Sequence, residues 1–164
     1  GIEPSTITAA IAEFAGIKRR LERRGIVNGV AIFDDIAHSP SKARSALATL
    51  RSISQGKLVA VFEPNIGNRT HESAPSYDHA FRDADIVVIP RLSKLKTQPN
   101  EINPPFEGAE LASIIGLTHP ETHYSDDDQE LITFLQNETA PGDTIIFMGS
   151  HGFRGMIEEL LQKD

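Results

Sequence analysis

Gly29-Val30-Ala31-Ile32-Phe33-Asp34-Asp35-Ile36-Ala37-His38-Ser39-Pro40, running on into Ser41-Lys42-Ala43-Arg44, is the stretch whose reading decides the fold. It reads as a buried strand that stops abruptly at two carboxylates. A short loop carrying a histidine follows, then Ser39 as N-cap and Pro40 as the first residue of a helix, where a missing N–H and a fixed φ do no harm. The loop therefore lies at the carboxyl end of a strand and faces a helix N-terminus. Exposed N–H groups favour anions there, and α/β sheets bind ligands there. Two acids in so tight a turn point to a hydroxyl, an ammonium or a metal as partner. The plainer alternative is a strand-to-helix turn in which Asp35 only caps.

Upstream, Ser5 to about Gly16 has Ile7, Ala10, Ile11 and Phe14 at the spacing of one helical face. Ile17-Lys18-Arg19-Arg20-Leu21-Glu22-Arg23-Arg24-Gly25 then reads as a strand. Strict alternation would put Arg20, Glu22 and Arg24 on one side and Arg19, Leu21 and Arg23 on the other. Val27-Asn28-Gly29 supplies a turn, so this strand pairs with Gly29–Phe33 as a hairpin that holds Arg20 near Asp35 or its ligand.

Downstream, Pro40–Ile53 is an amphipathic helix, with Ala43, Ala46, Leu47, Leu50 and Ile53 on one face. Lys57–Phe62 and Asp85–Pro90 are continuous apolar runs, the mark of strands covered on both faces. A short helix over about 73–83 lies between them, and an irregular loop with Pro99, Pro104 and Pro105 spans 91–107. The spacing predicts a helix over 107–116, a short strand at Thr122-His123-Tyr124, and a helix after Asp126-Asp127-Asp128 whose aspartates complement its dipole. A strand over 143–148 and a last helix with Phe153, Met156, Ile157 and Leu160 close the chain. Strands alternating with helices make a three-layer α/β domain with a mainly parallel sheet and one antiparallel strand from the hairpin. The loops 34–39, 63–70, 90–107 and 149–155 should then open on one edge.

The 164 residues suit one domain, and a formal net charge of −7 argues against nucleic acid or an anionic membrane as partner. There is no cysteine, which excludes disulfides and thiolate metal sites and suits a cytoplasmic address. Gly149-Ser150-His151-Gly152-Phe153-Arg154-Gly155 has the G-x-x-G-x-x-G spacing, not that of a dinucleotide fingerprint. It reads instead as a tight turn and backbone donor. No Walker-type phosphate loop occurs. His119 and His123 stand four apart, but Pro120 breaks the helical face that paired ligands need, so both read as surface residues. Ser150 and His151 are neighbours and form no nucleophile–base pair. From the residues alone, the functional set is Arg20, Asp35, His38 and Arg69.

Phe14-Ala15-Gly16-Ile17-Lys18-Arg19-Arg20-Leu21-Glu22, with Gly25, Gly29 and Asp34-Asp35-Ile36-Ala37-His38-Ser39-Pro40, resembles the start of the C-terminal domain of the Mur ligases. These are the ATP-dependent amide-bond-forming enzymes of peptidoglycan synthesis. Leu21-Glu22, Gly25, Phe62-Glu63-Pro64, and Met148 with Gly152-Phe153 and Gly155 look most like the muropeptide ligase branch of cell-wall recycling. That branch joins L-alanyl-γ-D-glutamyl-meso-diaminopimelate to UDP-N-acetylmuramate. The resemblance implies a six-stranded, Rossmann-like third domain over 1–164, cut from a three-domain enzyme whose N-terminal and central domains are its partners. It implies that Arg20 and Asp35 reach an ATP held by the central domain, with His38 beside it. Arg69, Asn65 and Gly152 would face the incoming peptide. ATP and Mg²⁺ are the implied cofactors, with no catalytic or metal-binding residue in this domain alone. Ser39 stands where a second histidine is common, and Asn65-Ile66-Gly67-Asn68 where the recycling enzyme often has Arg-Ser-Asn-Thr. The L-alanine-adding ligase of the main pathway and a non-catalytic α/β binding module therefore stay open.

Overall fold

Residues 1–14, 16–94 and 103–162 are described by the computed structural model. Their strands are β1 (Glu22–Val27), β2 (Val30–Asp35), β3 (Leu58–Glu63), β4 (Ile86–Pro90), β5 (Thr122–Ser125) and β6 (Thr144–Gly149). The helices are α1 (Pro4–Ala12), α2 (Pro40–Arg51), α3 (Gly108–Gly116), α4 (Asp128–Glu138) and α5 (Met156–Gln162). The strands form one six-stranded sheet in the order β1-β2-β6-β3-β4-β5. Only the β1–β2 pair is antiparallel.

The apolar runs take the centre because neither of their faces can meet water. β3, β4 and β6 are buried at every position. Alternation along β3 then divides the core: Leu58, Ala60 and Phe62 pack with Leu47, Leu50, Leu111 and Ile115 of α2 and α3. Val59 and Val61 pack on the opposite face with Leu131, Leu135, Ile157 and Leu160 of α4 and α5. The loop leaving β6 therefore runs to one face while those leaving β2 and β3 run to the other. This divergence opens a crevice at the carboxyl edge. Asp35 stands beside Met148 and Glu63 beside Gly149 in the register, so these strand ends are level.

Several sequence expectations change. α1 ends at Ala12, and Ile7, Ile11 and Phe14 are exposed, so its apolar stripe has no partner among the described residues. α2 stops at Arg51, which leaves Ile53 in solvent. Ser39 is the N-cap by position, yet its side chain makes no capping bond. The helix expected over 73–83 is a 3₁₀ segment over His71–Tyr77, because Pro75 lies inside it and has no N–H for an α-helical bond. The alternation read for residues 19–24 fails: Arg19 and Leu21 have φ of 55° and 45°, and β1 carries a register shift between Arg23 and Gly25. His119 is buried, with Nε2 3.0 Å from the Ala84 carbonyl, and is no surface residue. Asp127 caps α4 through the N–H groups of Gln129 and Glu130, as the dipole reading expects. Of the 91–107 loop, residues 95–102, including Pro99, lie outside the described residues. No described helix is long and apolar enough to cross a membrane.

Close backbone approach fixes one glycine firmly. A Cβ on Gly56 would lie 2.5 Å from the Gly142 carbonyl oxygen and also strike the Asp143 carboxylate, which accepts from the Lys57 and Ala140 N–H groups. Gly116, at the end of α3, has nothing within 4 Å of its added Cβ. Gly56→Ala is expected to lower stability by about 1–3 kcal/mol. Gly116→Ala is expected to change it by less than about 1 kcal/mol, or to raise it. Urea denaturation midpoints check both.

Candidate functional site

The twin acids at the end of β2 are nearly dry: Asp34 is 3% and Asp35 7% exposed. A buried carboxylate must be paired or hydrogen-bonded, and each solves this differently. Asp34 takes the guanidinium groups of Arg19 and Arg24, both at 3.3 Å. Asp35 accepts from the backbone N–H of Leu21 through Oδ2 and of Ala37 through Oδ1, both at 2.7 Å. Asp35 thus closes the turn at Ala37 without capping α2, whose N-cap position is Ser39, and it also does more. It lines a groove of about 410 Å³ with Arg20, Ser41, Lys42 and Ser45.

Arg20 and Asp35 therefore share one rim, as the hairpin reading expects. The guanidinium of Arg20 makes no hydrogen bond or ion pair among the described residues, whereas every nitrogen of the Arg19 guanidinium donates. Left-handed backbone on either side of Arg20 sends the adjacent arginines to different tasks. His38 donates from Nδ1 to the Ile36 carbonyl at 2.7 Å, and its Nε2 faces Lys42 Nζ at 3.3 Å. The His38 carbonyl accepts from the Asn65 N–H at 3.2 Å, stitching the loops after β2 and β3 together. A free fork, an ammonium and hydroxyls around one carboxylate can grip phosphate oxygens and hydroxyls. They do not fit Mg²⁺. The acids are committed to arginines and backbone, and no metal-ligating trio occurs among the described residues.

A second crevice, about 340 Å³, lies at the ends of β3, β4 and β6 between Glu63, Arg91, Ser93, Lys94, Gly152 and Arg154. Glu63 accepts from the Ser93 N–H at 2.8 Å and Oγ at 2.6 Å, and lies 3.6 Å from Arg154. Arg154, itself left-handed with φ 51°, makes a bidentate pair with Asp128 at 2.8 Å, joined by Arg91 at 3.1 Å. The hydrogen-bonded Arg154 guanidinium holds the Asp128 carboxyl below its ordinary value.

Other expected residues fall elsewhere. Arg69 is 2% exposed and points inward, donating to the carbonyls of Phe106 at 2.8 Å and Ser93 at 3.0 Å. It holds Ser93, which holds Glu63, instead of facing solvent. Asn65 accepts from Asn68 at 2.5 Å and lines neither crevice. Gly152 does line the second crevice, and a Cβ there would touch nothing within 4 Å. The last loop turns its carbonyls, not its donors, to a tenant: those of Gly149, Ser150 and His151 accept from Arg19 at 2.6, 3.1 and 3.1 Å.

Residues 19–151 match the family model described as Mur ligase, glutamate ligase domain. The chain belongs to this family. A UDP-N-acetylmuramate–L-alanine ligase from Synechocystis sp. is 34% identical over 98% of this chain and 32% of its own length. A murein peptide ligase from Psychrobacter arcticus, a crystal structure, superposes with TM-score 0.71 at 26% identity, over 98% of this chain and 33% of that one. The UDP-N-acetylmuramate–alanine ligase of Thermotoga maritima shares the fold, with TM-score 0.76 at 20% identity over 99% of this chain and 34% of that one. The chain spans about a third of the length of these relatives.

Sequence reasoning missed the set Glu63, Arg91, Asp128 and Arg154 in this Mur ligase domain. The one available signal was an acid ending a fully apolar strand at the binding edge. Arg19→Ala should cost about 2–3 kcal/mol, since it removes one partner of a buried carboxylate while Arg24 remains, whereas Arg20→Ala should stay within about 0.5 kcal/mol. Thermal or chemical denaturation of both variants tests the split. Because the Asp128 pKa is lowered on folding, its contribution is fully present above the ordinary carboxylate range and fades as pH falls through the lowered value. Wild type should thus exceed Asp128→Asn in stability at neutral pH, and the gap should close on acidification well below about pH 4.

Proposed function

We propose that this domain completes an ATP-dependent amide ligase joining L-alanyl-γ-D-glutamyl-meso-diaminopimelate to UDP-N-acetylmuramate. In this reading residues 1–164 are the third domain of a longer enzyme, and its N-terminal and central domains are the partners. The muramate carboxylate takes the γ-phosphoryl group of ATP, releasing ADP. The peptide's α-amine then attacks the acyl phosphate, forming the amide as phosphate and a proton leave. Mg²⁺ would be held outside this domain, whose acids are already committed. ATP and a UDP-linked sugar as substrates place the parent in the cytoplasm.

The observation that carries the reading is the Arg20 fork, unpaired among the described residues, on the rim it shares with Asp35 and Lys42. A guanidinium held ready, with its scaffolding work done by Arg19, can meet phosphate charge as it develops, without first breaking a protein contact. His38 sets Lys42, and Asp35 adds an acceptor for a ribose hydroxyl. For the second substrate, a crevice of about 340 Å³ has more room than a single alanine needs; its Arg91 and Arg154 are paired with Asp128 and Glu63, and among the described residues Lys94 is left to meet a peptide carboxylate. Arg69 and Asn65 would serve it by shaping the loop behind Ser93 and Glu63, with Gly152 at the mouth.

The Synechocystis relative, by its name, favours a second reading in which the amine is L-alanine. The full-length parent, given ATP, UDP-N-acetylmuramate and either amine, separates the two by the mass of the product. Turnover with the tripeptide and none with L-alanine is expected; the reverse assigns the enzyme to the main pathway. In the same assay Arg20→Ala should lower turnover by about 100-fold or more, with the denaturation midpoint unchanged.

A further inference from the structure

Arg19 stands between the two crevices and is bonded toward both. Its guanidinium meets three consecutive carbonyls, those of Gly149, Ser150 and His151, and its Nε lies 3.3 Å from Asp34. Its backbone is tied equally closely. The N–H donates to Glu22 at 2.7 Å, and the carbonyl accepts from the Ile36 N–H at 2.9 Å. The residue after it, Arg20, lines the groove beside Asp35; the loop its fork grips continues into Gly152 and Arg154 of the second crevice.

We propose that Arg19 is a positioning residue that couples the groove holding Arg20 to the crevice holding Arg154. The inference rests on the ligase reading above. Three successive carbonyls converging on one planar cation leave the loop little freedom, because displacing the fork breaks all three bonds or drags the loop with it. The same residue fixes the backbone that presents Arg20, so a shift imposed by a phosphate on Arg20 reaches the second crevice through one rigid side chain. A lysine at this position keeps the charge beside Asp34. Its point-like ammonium cannot span three carbonyls and a carboxylate.

The test measures binding of the amine substrate to the full-length enzyme loaded with UDP-N-acetylmuramate, by calorimetry, with and without a non-hydrolysable ATP analogue. In the wild type the analogue should tighten amine binding about fivefold or more, the low end of ordinary coupling between sites. In Arg19→Lys that factor should fall toward one, while amine affinity without the analogue stays within about threefold, and Arg19→Gln should do the same. A factor kept in both variants, with only the thermal midpoint lowered, means that Arg19 is merely structural and overturns the proposal. So does a wild type that shows no coupling. Absence of amide formation with either amine would instead overturn the ligase reading, an outcome separate from these.

Discussion

Two carboxylates placed side by side at the dry end of β2 are the constraint on which the binding edge depends. Neither can stay charged there without partners; the neighbouring strand β1 supplies only Arg24, so the rest must come from chain that folds over the strand's end. Asp34 draws in the side chains of Arg19 and Arg24; Asp35 draws in the backbone at Leu21 and Ala37. The opening segment is thereby closed over the carboxyl edge of β2, and α2 is started at a fixed place. Asp35 alone ties both sides of the turn, to Leu21 and to Ala37, while Asp34 adds the Arg19 side chain that holds the last loop.

From that closure the two crevices follow. The path of residues 19–21 leaves Arg20 outside the clamp, and the loop after β6 wraps the guanidinium that lies inside it. β6 enters the sheet between β2 and β3 and leaves toward the opposite face, so its loop forms a wall shared by the groove and the crevice. Glu63, at the level of Gly149, closes the floor on the far side. The binding edge is therefore a consequence of strand order together with one ion-pair cluster, with residues 91–94 closing the second crevice.

The architecture was legible because buried strands declare themselves: β3, β4 and β6 are runs of apolar residues bounded by polar turns, and the hairpin was marked by Asn28-Gly29. The candidate site was legible only at the level of the motif. Composition cannot say which of two adjacent arginines is bound and which is free, since that depends on left-handed backbone at Arg19 and Leu21, which neither residue type favours. The burial of Arg69, expected to face the incoming peptide, was hidden for a related reason. The carbonyls of Ser93 and Phe106 that close over this arginine lie far along the chain, beyond the reach of any local motif. Asp128 hid among three aspartates, only one of which was needed as a cap.

The contrast between satisfied and unsatisfied cations also separates scaffold from site. In the second crevice Arg154 and Arg91 share Asp128, and Arg154 leans on Glu63, so two positive charges are matched by two negative ones. The cation left over there is Lys94, which pairs with nothing among the described residues. An anion entering there must be recognised through geometry, by displacing part of an existing pair or by using that lysine. In the groove Arg20 has no ion pair among the described residues, and with Lys42 it makes two cations to the one carboxylate of Asp35 where a phosphate would lie. A guanidinium free of protein partners suits a triphosphate that is identical in every turnover. A balanced, sterically defined crevice suits the substrate that must be told apart from its competitors, because discrimination depends on what unmatched ligands leave unpaired.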